Sequence, residues 1–130
     1  MSTAKCRILY IDDHEDSAEM LRVLLSEDED YEVVTANSVR AALELIRTET
    51  FDLYVLDRRL PDGTGIELCS KLHEETPGVP CIFYTGEAYE LHRQQALAAG
   101  ADDYIPKPNI EKLIDTVGKL LAERECATAG

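Results

Sequence analysis

Short apolar runs alternate with longer segments of helical periodicity along this chain. Five runs have the length and composition of strands, and the segments between them repeat apolar residues at a spacing of three or four. Several runs are apolar at nearly every position, as expected for strands that helices cover on both faces. The predicted strands are residues 7–12, 31–35, 51–56, 80–84 and 103–106. This alternation predicts an α/β fold built from five βα units around a parallel sheet.

Capping residues mark the ends of the predicted helices. Either Asn37 or Ser38 can cap a helix of about ten residues, because both side chains accept hydrogen bonds from free backbone N–H groups. Thr64 and Glu67 have the spacing of a capping box at the start of the third helix. Gly100 follows an apolar turn and is placed to end the fourth helix. These signals support five helices between and after the strands.

A proline in the fifth predicted strand indicates how the sheet is ordered. Pro106 has no N–H for a sheet ladder, and proline is tolerated mainly in edge strands. An edge position for this strand agrees with the order 2-1-3-4-5 of flavodoxin-like sheets, in which ligands bind outside the carboxyl ends of the strands. We therefore predict a flavodoxin-like (βα)5 three-layer sandwich.

Composition and charge narrow the classes of function. The 130 residues are 45% hydrophobic and 30% charged, which is typical of one globular domain. Thirteen basic against 26 acidic residues give a net charge of −13, which would repel a nucleic-acid backbone. No apolar run approaches the length of a membrane span or of a signal-peptide core. We expect a cytoplasmic protein that binds neither nucleic acid nor membranes directly.

The four cysteines show no spacing typical of a metal site. Cys6, Cys69, Cys81 and Cys126 include no CxxC pair and no histidine at a spacing that suggests zinc. Cys6 and Cys81 lie in or beside apolar strands, where a thiol acts as a small hydrophobic group. We expect reduced, structural cysteines.

Reactive side chains follow four of the five predicted strands. Asp12 and Asp13 end the first strand, Asp57 follows the third, Thr85 the fourth and Lys107 the fifth. Right-handed crossovers in a parallel sheet bring the carboxyl ends of all strands to one edge. We therefore expect these side chains to converge on one crevice.

Three carboxylates in one crevice require a positive partner. Each close pair repels by several kcal/mol at an effective dielectric constant of about 20 unless a cation or a proton intervenes. A hard divalent ion with oxygen ligands is the natural solution, so the prediction is Mg²⁺, with Mn²⁺ as an alternative.

The motifs at the strand ends together resemble the receiver domains of response regulators. The matching elements are DD after the first strand, D and then LPDGTG after the third, T after the fourth and KP after the fifth. The resemblance covers about residues 5–122. It implies one receiver domain, a short tail at 123–130 and no effector domain.

The resemblance assigns a role to each motif residue. It makes Asp57 the phosphoacceptor, Asp12 and Asp13 the acidic pair that binds Mg²⁺ together with Asp57, and Lys107 the lysine that binds the phosphoryl group. Thr85 becomes the switch hydroxyl, which moves toward the new phosphoryl oxygens.

Three further features are implied only by the resemblance. Tyr104 would be the switch aromatic, which turns inward behind the threonine and alters a face built from the fourth helix, fifth strand and fifth helix. Arg59 would bind Mg²⁺ through its backbone carbonyl. The Lys107-Pro108 bond would be cis, which X-Pro bonds permit at modest cost.

The sequence departs from the family pattern around the crevice. Arg59 and Glu87 occupy positions that flank the approach of the hydrolytic water in the family. As a hypothesis, they form an ion pair over the pocket and prolong the life of the acyl phosphate. Pro106 stiffens the strand between Tyr104 and Lys107 and could damp the switch.

The function implied is that of a phosphoacceptor signalling domain in a two-component or phosphorelay system. Its donor would be a histidine kinase or a histidine phosphotransfer domain, and it would catalyse only its own phosphoryl transfer and dephosphorylation. Its output would be binding to an unknown downstream protein, with a phosphorylation-dependent homodimer as another outcome.

Three other classes of protein share features with this chain. A flavodoxin shares the fold, but Asp12 and Asp13 would repel the phosphate of a flavin. A haloacid-dehalogenase phosphatase requires Asp-x-Asp after the first strand, and Asp13-His14-Glu15 departs from it. A pseudo-receiver, which docks proteins without being phosphorylated, remains the main alternative.

Overall fold

The computed structural model describes residues 6–27, 31–86 and 89–124, which contain all the predicted strands and helices. The first half holds β1 Cys6–Ile11, α1 Glu15–Ser26, β2 Tyr31–Ala36, α2 Val39–Thr48 and β3 Leu53–Leu56. A short hairpin of β4 Arg59–Leu60 and β5 Gly63–Thr64 follows. The second half holds α3 Gly65–Glu75, β6 Cys81–Thr85, α4 Glu90–Ala98, β7 Asp103–Pro106 and α5 Ile110–Arg124.

The five long strands form one parallel sheet in the order β2-β1-β3-β6-β7. This is the predicted order 2-1-3-4-5, and β7 lies at an edge as Pro106 indicated. Pro106 stands opposite Thr85 in the register. The antiparallel β4–β5 hairpin was not predicted as strand, because the Pro61-Asp62 turn leaves only two residues on each side.

Two hydrophobic clusters cover the two faces of the sheet. Successive residues of β1 alternate between them, because side chains of a strand point to opposite faces. Leu9 and Ile11 pack with α2, α3 and α4, whereas Ile8 and Tyr10 pack with α1 and α5. All four are fully buried. The predicted three-layer sandwich is therefore confirmed.

The helix ends follow the predicted caps. Ser38 Oγ accepts a hydrogen bond from the backbone N of Ala41 at 3.0 Å, and Thr64 and Glu67 form a complete capping box. Gly100 ends the α4 segment at φ +111°, a conformation that glycine adopts without a steric penalty.

The cysteine prediction is correct for two residues and wrong for one. Cys69 and Cys81 are free thiols in the core, but Cys6 is disulfide-bonded. Folding decides which thiols meet, so spacing along the sequence could not reveal this bond.

None of the helices in the described ranges combines the length and the apolar character that crossing a bilayer requires.

Candidate functional site

The carboxyl ends of β1, β3, β6 and β7 bring the predicted reactive residues to one place. The backbone N of Asp57 donates to the carbonyl of Ile11 at 2.9 Å, which sets Asp57 beside the end of β1. The backbone N of Lys107 donates to the carbonyl of Thr85 at 2.8 Å, which sets Lys107 beside the end of β6. Backbone hydrogen bonds therefore fix the positions of Asp57 and Lys107 independently of their side-chain contacts.

A glycine lets α3 approach the backbone of Asp57. The N–H of Gly65 donates to the carbonyl of Arg58 at 2.8 Å. A Cβ at position 65 would lie 2.2 Å from the carbonyl oxygen of Asp57 and 2.8 Å from the Phe83 ring, distances that no side chain tolerates. The second glycine of the DGTG motif thus holds the start of α3 against the segment that carries Asp57.

The two carboxylate oxygens of Asp57 have different surroundings. Oδ1 accepts a hydrogen bond from Thr85 Oγ1 at 2.9 Å and one from the backbone N of Arg58 at 2.6 Å. Oδ2 lies 3.5 Å from Lys107 Nζ and 4.0 Å from His14 Nδ1. Oδ1 is held by two donors, so Oδ2 is the oxygen that is better placed to react.

Asp12 is buried and is held by hydrogen bonds from three residues. Its Oδ2 accepts from Tyr10 Oη at 2.6 Å and from Lys107 Nζ at 2.8 Å, and its Oδ1 accepts from the backbone N of His14 at 3.0 Å. Burial by itself would raise the pKa of Asp12, but the donors outweigh it and lower the pKa to about 2. Asp12 is therefore ionised at neutral pH despite its burial.

Lys107 connects the two buried carboxylates. Burial tends to lower the pKa of its ammonium, but the hydrogen bond and charge of Asp12 and the charge of Asp57 raise it above the usual value. Its Nζ also lies 5.8 Å from the centroid of the Tyr84 ring, within cation–π range. Lys107 thus stays charged beside the oxygens of Asp57.

His14 lies among the carboxylates. Its Nδ1 is 3.0 Å from Asp12 Oδ1 and 3.1 Å from Asp13 Oδ1. The hydrogen bond and charge of Asp12, followed by the charge of Asp13, raise the pKa of His14. The side chain is 68% exposed, so solvent screens these interactions.

Asp57, Lys107 and His14 border an open cavity of about 540 Å³. Its lining comprises Asp13, His14, Ser17, Asp57, Arg59, Leu60, Pro61, Thr85, Gly86 and Lys107. Ligand atoms of Asp12, Asp13, His14 and Asp57 all lie within 4.8 Å of one another. Such a set, dominated by carboxylate oxygens, fits a hard divalent cation. The acidic cluster is therefore able to bind a metal ion.

The other predicted site residues lie at different distances from this cavity. Tyr104 is buried at 4% exposure and stacks on Phe83, with ring centroids 5.9 Å apart. It already occupies the inward position that was predicted for the phosphorylated state. Arg59 is exposed at the cavity rim, and the role of its carbonyl stays a prediction. Glu87 lies outside the described residues. The Lys107-Pro108 bond is cis, as predicted.

Sequence reasoning missed the contribution of Tyr10 and underrated that of His14. The Tyr10 ring is fully buried, but its hydroxyl reaches Asp12. The signal was present, because residues two apart in a strand point to the same face. The signal for His14 was its position directly after Asp12 and Asp13 in the sequence.

Comparison with known sequences identifies one family. The profile of the response regulator receiver domain matches residues 8–118. The chain is 35% identical over 118 residues to the alkaline phosphatase synthesis transcriptional regulatory protein PhoP of Bacillus subtilis, covering 91% of this chain and 49% of PhoP. It is 38% identical over 116 residues to the response regulator MprA of Mycolicibacterium vanbaalenii, covering 88% and 50% respectively. The chain thus spans about half the length of these curated relatives.

Solved structures agree in fold. The non-phosphorylated HemR receiver domain of Leptospira biflexa aligns with a TM-score of 0.82 at 34% identity, covering 91% of this chain and 95% of that one. A CheY-like receiver domain protein of Methanospirillum hungatei gives 0.83 at 36% identity, covering 94% and 98%. The response regulator TrrA of Thermotoga maritima, in complex with Mg²⁺-BeF, gives 0.80 at 32% identity, covering 89% and 99%.

Proposed function

The chain belongs to the response regulator receiver domain family of two-component systems, and on that premise we propose that Asp57 accepts a phosphoryl group in a Mg²⁺-dependent reaction. The donor is the phosphohistidine of a histidine kinase or of a histidine phosphotransfer domain. The observation that carries the proposal is the position of Asp57, with its Oδ1 held by Thr85 and its Oδ2 facing Lys107.

In this reaction Asp57 Oδ2 is the nucleophile. A bond forms between Oδ2 and phosphorus while the bond between phosphorus and the donor imidazole breaks, and the imidazole keeps the electron pair. Lys107, 3.5 Å from Oδ2, is placed to bind an oxygen of the transferring group. Asp12, Asp13, Asp57 and the Arg59 carbonyl would hold Mg²⁺, which would supply positive charge beside the phosphoryl oxygens when bound. Positioning and electrostatics therefore account for the catalysis.

The readout begins at Thr85. Its hydroxyl donates to Asp57 Oδ1 in the unmodified protein, and a phosphoryl group on Asp57 offers it stronger, charged acceptors. Movement of Thr85 toward them changes the support of Tyr104, which stacks behind it on Phe83. The face of α4, β7 and α5 then changes its binding properties.

The partner of this face is a protein. A net charge of −13 disfavours direct contact with nucleic acid, so the output is a downstream protein, a second copy of the chain or the next domain of a relay. The protein then acts in the cytoplasm, where phosphohistidine donors draw on ATP. The chain catalyses only its own phosphorylation and dephosphorylation.

Phosphorylation can be tested directly. The protein is incubated with Mg²⁺ and acetyl phosphate, and intact-mass spectrometry is used to detect a phosphoryl adduct. We expect the adduct in the wild type and in Asp16→Asn, a matched substitution on the exposed first turn of α1. Asp57→Asn should give none.

Two outcomes would contradict the proposal. An adduct that persists in Asp57→Asn would move the phosphoacceptor elsewhere. The absence of any adduct, both with acetyl phosphate and with a phosphorylated histidine phosphotransfer domain, would favour the pseudo-receiver. That protein would bind its partners equally well with and without a phosphodonor.

A further inference from the structure

A second cluster of metal-ligating side chains lies at the opposite end of the sheet. Cys69 and His73 lie one turn apart on α3, and Cys81 opens β6. The ligand atoms of all three lie within 4.8 Å of one another. Thr85 lies four residues after Cys81 on the same strand, so the cluster is about 13 Å from the acidic cavity. We propose that Cys69, His73 and Cys81 form a binding site for a thiophilic divalent cation of the Zn²⁺ class.

The ligand types select the class of ion. Two thiols and an imidazole match the sulfur and nitrogen ligands of Zn²⁺, whereas Mg²⁺ and Ca²⁺ require oxygen. Neither Cys69 nor Cys81 takes part in a disulfide, and Cys69 Sγ donates a hydrogen bond to the carbonyl oxygen of Ala99 at 3.7 Å. Both thiols are fully buried and neutral, so they can lose their protons only to a bound cation, and a divalent ion would balance the charge of the two thiolates.

The spacing of the ligand atoms is close to that of a tetrahedral site. At the tetrahedral angle, bonds of about 2.3 Å to sulfur and about 2.0 Å to nitrogen keep the ligand atoms about 3.5–3.8 Å apart. Ligand atoms within 4.8 Å of one another therefore have to approach by at most about 1.3 Å. Cys69 and His73 share a helix face at i and i+4, so rotation of their side chains covers much of this distance.

The surroundings supply a supporting hydrogen bond and room for the imidazole. His73 Nε2 lies 2.7 Å from the carbonyl oxygen of Gly100, and such carbonyls orient histidine ligands in metal sites. A Cβ at Gly100 would lie 2.5 Å from the His73 ring, so the glycine leaves the ring its space.

Asp102 lies beside Cys81. Its Oδ2 accepts a hydrogen bond from the backbone N of Cys81 at 3.0 Å. Asp102 is exposed and His73 is partly exposed, which gives an ion a path from solvent. The bound ion would join the end of α3 to the start of β6.

Co²⁺ is a suitable probe because it occupies Zn²⁺ sites and gives a thiolate-to-metal absorption band in the near ultraviolet. Reduced, metal-free protein is titrated with Co²⁺ in excess Mg²⁺, which occupies the acidic cavity. The wild type and a Cys6→Ser/Cys126→Ser background should both show the band, and Zn²⁺ should abolish it. Asp57→Asn should show the same Co²⁺ band, since metal binding by the cysteine cluster does not depend on phosphorylation of Asp57.

Variants of the cluster decide the assignment. Cys69→Ala and Cys81→Ala should lose the band, and His73→Gln should weaken Zn²⁺ binding by at least about tenfold. His92→Gln on α4 is the matched control and should bind normally. Circular dichroism reports whether each variant folds. If Cys69→Ala or Cys81→Ala does not fold, His73→Gln decides the test, because His73 is partly exposed and its substitution disturbs the core less. The absence of a band in the wild type, or normal binding in His73→Gln, would overturn the proposal.

Discussion

The two ends of the five-stranded sheet carry different kinds of chemistry. At the carboxyl end, Asp13, Asp57 and Lys107 line an open cavity of about 540 Å³. At the amino end, Cys69 and Cys81 are fully buried in the core. One end therefore presents charged oxygen and nitrogen groups to solvent, whereas the other keeps neutral sulfur groups away from it.

The difference shows how each kind of group is kept stable. A buried carboxylate must be paired, and Asp12 accepts hydrogen bonds from Tyr10, Lys107 and the His14 backbone. A neutral thiol can be buried like a small apolar group, so Cys69 and Cys81 need no such network. The carboxyl end is thus charged and ready to react, whereas the amino end needs an ion before it carries charge.

Helix α3 physically connects the two ends. It begins at Gly65, against the backbone of Asp57, and carries Cys69 and His73 farther along its length. If the two ends are coupled, α3 is the element through which a change at one would reach the other.

The largest expected effect is on the rate of phosphorylation after loss of the Lys107 ammonium, which Asp12 and Asp57 share. Lys107→Met removes the cation next to Asp12 and Asp57, so phosphorylation by acetyl phosphate should slow by about 100-fold. Rates are measured by quenched intact-mass spectrometry. Lys119→Met, on the exposed side of α5, should leave the rate unchanged. Co²⁺ binding at the Cys69 cluster should stay the same in both variants, and a loss in Lys107→Met would show that the two ends are coupled.

The next effect concerns the connection through α3. Gly65→Ala forces a Cβ against the carbonyl of Asp57 and the ring of Phe83, and should lower the free energy of unfolding by about 2–3 kcal/mol. Urea denaturation measures this. Gly118→Ala, within α5 and in ordinary contact with Tyr31, should be neutral or stabilising. If Gly65→Ala is as stable as the wild type, the close approach does not constrain Asp57.

A smaller, pH-dependent effect is expected at Asp12. Tyr10→Phe removes a donor to its carboxylate and should cost about 1.5 kcal/mol of unfolding free energy at neutral pH in the presence of a chelator. Because the folded pKa of Asp12 is lowered, this stabilisation is present above the unfolded pKa and disappears as the pH falls from about 4 to about 2.

Tyr54→Phe is the control for this measurement. Tyr54 is also buried in a strand, but its hydroxyl pairs with the neutral Thr76 Oγ1 at 2.9 Å. The cost of Tyr54→Phe should therefore not vary over the same pH range. An equal pH dependence in both variants would show that Tyr10 does not act through the charge of Asp12.

The smallest expected effect concerns the lifetime of the acyl phosphate. If Arg59 and Glu87 pair over the cavity, Arg59→Asn and Glu87→Ala should each shorten the lifetime about two- to fivefold, the range expected for an exposed ion pair. Decay of the phosphorylated protein is followed after removal of the donor. Arg40→Asn, on exposed α2, should decay as the wild type does. Unchanged lifetimes in both test variants would exclude the ion pair.

Most of the fold followed from local patterns. The five apolar runs gave every long strand to within two residues at each end, and Pro106 correctly indicated that the fifth long strand lies at an edge. The crevice also followed, because strand ends of a parallel sheet must meet at one edge. Asp57 and Thr85 are accordingly 2.9 Å apart although 28 residues separate them.

Local patterns did not reveal pairs of groups that meet only after folding. Asp62, in the turn between β4 and β5, accepts hydrogen bonds from the backbone N of Val39 and of Arg40 at the start of α2. Cys69 and His73 lie at helical spacing, but the approach of Cys81 depends on how α3 packs against β6. The disulfide of Cys6 was missed for the same reason.

The sequence by itself determined the strands, the helices and the set of reactive side chains, because these depend on periodicity and on residue type. Only the tertiary structure decided which oxygen of Asp57 is held and which faces Lys107, and that Tyr10 donates to Asp12. It also decided that two thiols and an imidazole meet at the other end of the sheet. Hydrogen bonding and metal binding require interatomic distances that are correct to within a few tenths of an ångström. Tertiary packing sets these distances, whereas the periodicity of the sequence does not.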